Sequence, residues 1–129
     1  MSEQKKVRVL LADDESHIRT LMKTVFSSMG CEVVAEAKNG QEAVDLYSQH
    51  KPNMVLLDVN MPFKDGVQAL QEIRAADPNA FVIMLTSVST METVEQCVVA
   101  GAVGYIRKDT PIAEIKKIVK ETWLERVKK

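Results

Sequence analysis

Short apolar runs alternating with amphipathic stretches constrain this chain more than any other feature. Residues 7–12 (VRVLLA), 54–58 (MVLLD) and 81–86 (FVIMLT) are near-continuous apolar runs, the pattern of strands covered on both faces in a parallel sheet. Residues 33–37 (VVAEA) and 104–108 (GYIRK) are weaker strand candidates. Between the first two strands, Ile18, Leu21, Met22, Val25, Phe26 and Met29 recur at spacings of three and four and stop before Gly30, a residue suited to the left-handed position after a helix. Further helices are predicted over about 41–49, about 67–76 ended by Asp77-Pro78, and about 91–100 ended by Gly101. The last helix opens with Thr110 as N-cap and Pro111 as first helical residue, and carries Ile112, Ile115, Ile118, Val119 and Trp123 inward. Five βα units result. Parallel crossovers are right-handed and need an intervening helix, so the chain is predicted to be α/β: a five-stranded, doubly wound parallel sheet with helices on both faces.

The 129 residues fit one domain, 1–129, long enough to bury about two thirds of its unfolded surface. No run approaches the ~20 apolar residues of a membrane helix, and the start MSEQKK lacks the apolar core of a signal peptide. A cytoplasmic protein without a membrane partner is the expectation, and a natural single-domain protein is favoured over an excised piece. A net charge of −1 supplies no concentrated basic face, so direct nucleic-acid binding is not expected. Cys31 and Cys97 stand in unrelated segments with no C-x-x-C spacing and read as buried or incidental thiols.

In a doubly wound sheet, ligands bind beyond the carboxyl ends of the strands. The first strand delivers Asp13-Asp14 there, the third Asp58, the fourth Thr86-Ser87 and the fifth Lys108. If the first and third strands are neighbours, three carboxylates converge, and their repulsion calls for a cation. The donors are hard oxygens without Cys or His, which favours Mg²⁺. Lys108 adds a second positive charge, and the hydroxyls of Thr86 and Ser87 can donate to the oxygens of a phosphoryl group. Asp58, central in the set, is the candidate nucleophile that would form an acyl phosphate. Taken alone, Asp13 and Asp14 could as well cap a helix. A third carboxylate and a lysine at the same edge turn the balance toward a site.

LLADDE, VLLDVNMPFKDG, VIMLTS and GYIRKD, in this order and over essentially the whole length, make the chain resemble the CheY-like receiver domains of two-component response regulators. The resemblance implies a flavodoxin-like strand order 2-1-3-4-5. It implies phosphorylation of Asp58, with Mg²⁺ held directly by Asp14, mainly through water by Asp13, and by Asp58 and the backbone carbonyl of Asn60. Thr86 and Lys108 would contact the phosphoryl group. Thr86 and Tyr105 would form the switch, the ring moving inward as Thr86 is drawn to the phosphoryl group; a half-buried strand tyrosine without that role is the plainer alternative. Met61-Pro62 and Asp65-Gly66 read as loop and turn, with Gly66 supplying backbone freedom. The implied partners are a sensor histidine kinase or phosphotransfer protein, and an output protein on the face of the fourth helix, fifth strand and fifth helix. A phosphorylation-dependent homodimer is compatible with it. Met91, Val99 and Val103 lie in that region, where ordinary core packing is the plain reading. His17 and His50 read as surface residues. Lys116, Lys117, Lys120, Arg126, Lys128 and Lys129 read as a solvated helix face or, alternatively, a surface for an acidic partner.

Two departures matter. The family often has a proline after the lysine, joined by a cis bond; Asp109 stands here, so a trans bond or a strained loop is expected. Val88, two positions beyond Thr86, cannot orient an attacking water, which predicts intermediate-to-slow self-dephosphorylation. The chain is therefore expected to be a phosphoacceptor switch with weak self-catalysis rather than an enzyme. A haloacid-dehalogenase-type phosphatase competes, but it wants a second Asp where Asn60 stands. A phosphorylation-independent scaffold also competes, against the intact set of Asp13, Asp14, Asp58, Thr86 and Lys108.

Overall fold

The computed structural model describes residues 6–87 and 90–127. Five strands alternate with five helices: β1 (Arg8–Ala12), α1 (Ser16–Ser28), β2 (Glu32–Ala37), α2 (Gly40–His50), β3 (Met54–Asp58), α3 (Gly66–Ala76), β4 (Val82–Thr86), α4 (Met91–Val99), β5 (Gly104–Arg107) and α5 (Ile112–Val127). All neighbouring strands pair in parallel, in the order β2-β1-β3-β4-β5. The predicted fold class and strand order are both present.

Side chains along a strand alternate between faces, and here the alternation sorts the core into two halves. Leu10, Val55, Leu57, Val82 and Met84 meet Ala43 and Tyr47 of α2, Ala69, Leu70 and Ile73 of α3, and Cys97 of α4. Val9, Leu11, Leu56, Ile83, Leu85 and Ile106 meet Met22, Val25 and Phe26 of α1 and Ile115 and Val119 of α5. Every residue of β3 and β4 is buried, which is why those segments are apolar up to their last residues, Asp58 and Thr86.

The helix ends follow the sequence closely. After α1 the chain turns through Gly30 at φ +81, where the Cys31 N–H donates to the Phe26 carbonyl and the Gly30 N–H to the Ser27 carbonyl, closing the paired bonds of a left-handed C-terminal turn. Gly101 at φ +102 follows α4, and Asp77 ends α3 ahead of Pro78. Three expectations need correction. Pro111, not Thr110, supplies the carbonyl that accepts the first α5 bond, from Ile115 at 2.9 Å, so the helix starts one residue later than read. Leu21 and Ile112 are exposed: an apolar residue at the edge of a helical stripe satisfies the spacing without reaching the sheet. Gly66 is absent from the positive-φ positions. It opens α3, Asp65 being the N-cap in a reciprocal capping box with Gln68, and a Cβ at Gly66 would collide with the Asp58 carbonyl. Close approach, not backbone freedom, requires this glycine.

Phe63 was not singled out by sequence. It sits at φ 67 and is 93% exposed, and the Lys64 N–H donates to the Pro62 carbonyl at 2.8 Å around it, the bond of a strained three-residue turn. Phe63→Gly is expected to raise stability by about 1 kcal/mol, because relief of left-handed strain exceeds glycine's entropic cost and the exposed ring contributes no burial. A thermal melt checks this; a lower Tm for the variant would mean that the ring packs in solution.

No helix of the described residues is long and apolar enough to cross a membrane. Cys31 and Cys97 are both free thiols.

Candidate functional site

The strand register decides which side chains meet. Ala12 lies opposite Leu57, Asp58 opposite Leu85, and Thr86 opposite Arg107, so one further residue on each strand brings Asp13, Asp58 and Lys108 to one edge. Continuing the two-residue alternation, Asp13, Asp58 and Lys108 share the α1/α5 side with Leu11, Leu56 and Ile106, whereas Thr86 and Tyr105 belong to the α2–α4 side. The alternation separates an ionic cluster from a hydroxyl pair.

In the cluster, the Lys108 Nζ lies 3.0 Å from Asp13 Oδ2, 3.2 Å from Asp58 Oδ2 and 2.8 Å from Glu15 Oε1. Asp13 and Asp58 are almost fully buried, while Asp14 is exposed. Oxygens of Asp13, Asp14 and Asp58 come within 4.8 Å of one another. The Asn60 N–H donates to Asp58 Oδ1 at 3.3 Å, and the Glu15 N–H donates to Asp13 Oδ1 at 2.9 Å. The capping alternative for the acidic pair fails, since Glu15 occupies the N-cap position of α1.

One lysine cannot neutralise this many carboxylates. Burial and then the Asp13 charge push the Asp58 carboxyl up to about 6, with Lys108 and the Asn60 N–H opposing. Burial also works against the Lys108 charge, but Glu15, Asp13 and Asp58 outweigh it and push that ammonium up. Glu15 is held below its ordinary value chiefly by its hydrogen bond to Lys108. Asp13 Oδ2 is buried and has the Lys108 ammonium, which it shares with Asp58 and Glu15, 3.0 Å away, with no further hydrogen bond among the described residues. That under-neutralised buried oxygen and a hard-oxygen donor set fit a divalent cation such as Mg²⁺.

Thr86 is fully buried at the end of β4. It hydrogen-bonds with the Tyr105 phenol, whose acidity is weakened mainly by burial and partly restored by that bond. Tyr105 is half-buried and packs against the α2–α4 half of the core. The two predicted switch residues are thus in contact. Ser87 is exposed, and Val88 lies outside the described residues. The Lys108–Asp109 peptide is trans, there being no cis bond among the described residues.

Sequence reasoning missed Glu15, although it stands in LLADDE; its role depends on a partner 93 residues away. It missed Arg19, whose guanidinium donates to the Asp13 carbonyl at 2.7 Å and pairs with Glu36, fixing the turn after β1. It also missed Gly40, where a Cβ would strike the Lys64 carbonyl and push the loop after β3 away from α2. Met91, Val98 and Val99 are exposed, Met91 by 72% and Val99 by 87%, and Val103 is also open. Core packing is therefore the wrong reading for Met91, Val99 and Val103. His17 is exposed and His50 half-buried, both remote from the cluster.

Residues 9–120 match the family model of the response regulator receiver domain. The chain is 41% identical over 101 residues to the chemotaxis protein CheY of Halobacterium salinarum, covering 78% of this chain and 83% of that one. It is 42% identical over 108 residues to the transcriptional regulatory protein PdtaR of Mycobacterium tuberculosis, covering 84% of this chain and 52% of that one. It superposes with a TM-score of 0.87 on a chain of the CheX-CheY-BeF3-Mg+2 complex from Borrelia burgdorferi, at 31% identity, covering 90% and 88% of the two chains. The chain belongs to the response regulator receiver domains of two-component systems and is CheY-like.

Proposed function

We propose that this receiver accepts a phosphoryl group on Asp58 from a histidine kinase or phosphotransfer protein and relays the change through Thr86 and Tyr105 to an output partner. The observation that carries this is the shared Lys108 ammonium, held at 3.0 and 3.2 Å by two buried carboxylates that it cannot fully neutralise. A site with excess buried negative charge is built to gain cations. Asp13, Asp14, Asp58 and the Asn60 carbonyl would hold Mg²⁺, which when bound supplies the charge neutralisation that lets anions approach.

An Asp58 carboxylate oxygen bonds to phosphorus as the donor's P–N bond breaks, and the electron pair departs with the imidazole nitrogen. Lys108 then turns from carboxylate to phosphoryl oxygens, and Thr86 turns its hydroxyl from the Tyr105 phenol toward the new group. Tyr105 loses that partner and is released to change its position against α4. This is a local trigger acting on a two-state element. The exposed Met91, Val98, Val99 and Val103 give the α4, β5 and α5 face an apolar surface for the output partner or, on phosphorylation, for a second copy. The reaction is stoichiometric: the protein is a switch, not a turnover enzyme, and Asn60 in place of a second Asp argues against a phosphatase. A cytoplasmic location fits a kinase-driven switch.

The stability of the cation-free protein should depend on pH in a defined sense. Asp58 ionises near 3.8 when unexposed to the fold and near 6 within it, so the stability owed to its neutral form is present below about 3.8 and is lost as pH rises through about 6. Mg²⁺ offsets that loss only where the carboxyl is ionised. The Tm gain from Mg²⁺ is therefore expected to be several degrees at about pH 7.5 and small at about pH 5. An equal gain at both would contradict the cation site. Acetyl phosphate with Mg²⁺ should give uptake of one phosphoryl group per chain with slow release; rapid repeated hydrolysis of other phosphoesters would support a phosphatase instead, and no uptake a scaffold.

A further inference from the structure

The end of the sheet opposite Asp58 carries a recess of about 760 Å³ between the start of the strands and α5. Val7 and Met54, at the openings of β1 and β3, line it together with Met29, Cys31, Val119 and Trp123. Met54 and Val119 are core residues, so the floor reaches the buried sheet rather than skimming a helix surface. Lys116, Lys117 and Lys120, all on α5, also line it, against a single lining carboxylate, Glu121. None of these lysines takes part in an ion pair among the described residues.

Recesses of roughly 300–1,000 Å³ with mainly apolar walls and a few polar groups to one side are the usual form of small-molecule sites. The charge arrangement narrows the ligand. Three ammonium groups of α5 without ion-pair partners favour an anionic head, and the rest of the lining is apolar apart from Glu121, the Trp123 indole N–H and the Cys31 thiol, too few polar groups for a polar body. The lysine stems can lie along the apolar wall while their heads stay at the mouth. We propose that this recess binds a small anionic amphiphile, of the class of medium-chain fatty acids, with its chain against Met54 and Trp123 and its carboxylate among Lys116, Lys117 and Lys120. The site shares no residue with the Asp58 cluster and does not depend on phosphorylation.

Trp123 is the one tryptophan of the chain, so intrinsic fluorescence reports on the recess directly. Titration of the full chain with dodecanoate, below its micelle concentration, should change Trp123 emission saturably at one ligand per chain. Dodecyltrimethylammonium, with the same chain and the opposite head, should bind about tenfold more weakly or worse, as should dodecanoate to the K117E/K120E variant. Asp58→Asn should leave the affinity unchanged. Should the charge-reversed variant fold poorly, protection provides the second reading: dodecanoate should slow modification of Cys31 by a thiol reagent in the unaltered protein. No saturable change, equal affinity for the cationic amphiphile, unaltered affinity in K117E/K120E or no protection of Cys31 would each overturn the proposal. So would a concentration-dependent dimer, or an acidic peptide partner, that occupies the recess and excludes dodecanoate.

Discussion

Replacing Gly66 by alanine is expected to destabilise the protein by about 3 kcal/mol or more, because the added Cβ would overlap the backbone carbonyl of Asp58 and two elements would have to part. The Gly66 N–H donates to the Val59 carbonyl at 2.7 Å, and Asp65 caps the same helix end, so α3 is tied to the exit of β3 at this point. Relief by movement would shift the phosphoacceptor itself. Gly30→Ala is the matched comparison. Gly30 lies ahead of β2 and has open space around it, and only its φ of +81 opposes a side chain. Its cost should be about 1–2 kcal/mol. Urea unfolding of both variants separates the two mechanisms: equal losses would show that packing against Asp58 is not what requires Gly66.

The second large effect is predicted at Lys108. Lys108→Ala leaves Asp13 and Asp58 buried without their shared counter-charge and leaves Glu15 without its partner. Loss of one member of a buried charged set typically costs about 3–5 kcal/mol; here the carboxyls can take up protons instead, so a loss of about 2–4 kcal/mol is expected without Mg²⁺. Mg²⁺ should restore most of it by replacing the missing charge. Phosphoryl uptake from acetyl phosphate should nonetheless fall about 10²-fold with Mg²⁺ present, since a cation bound by the carboxylates does not replace a donor directed at the phosphoryl oxygens. Unfolding curves with and without Mg²⁺, together with the uptake rate, test both halves. An unaltered uptake rate would remove Lys108 from the chemistry.

The architecture was legible wherever burial on two faces left a continuous mark. Residues 54–57 and 82–85 are apolar because helices cover both sides of β3 and β4. The residues at the strand ends were legible for the same reason: Asp58, Thr86 and Lys108 interrupt apolar runs at the edge where a parallel sheet must be open. What stayed hidden depends on distance or on shape. Glu15 is an unremarkable acid until chain closure brings Lys108 to within 2.8 Å. The exposure of Met91 and Val99 could not be read from spacing, because an apolar residue on a short helix satisfies the pattern whether it meets the sheet or solvent. Gly66 was found for the wrong reason: sequence marks a glycine but not whether torsion or proximity demands it. Phe63 left no signal at all, since an aromatic side chain is a poor indicator of a left-handed turn.

The contact between Thr86 and Tyr105 follows from the two-residue alternation, which places both on the α2–α4 side while Asp13, Asp58 and Lys108 lie on the other. Thr86 stands at the junction, the last residue of β4 and beside the strand that ends in the phosphoacceptor. That position lets one hydroxyl exchange a phenol for a phosphoryl group, and it links chemistry on one face of the sheet to α4 on the other.

The central claim is that Asp58 receives the phosphoryl group. Fragment mass spectrometry after incubation with acetyl phosphate and Mg²⁺ tests it most directly, with Asp58→Asn in parallel. A single phosphoryl gain located at Asp58, dependent on Mg²⁺ and absent from the variant, is the predicted result. The same gain retained in Asp58→Asn, or located on Asp13 or Asp14, would contradict the account.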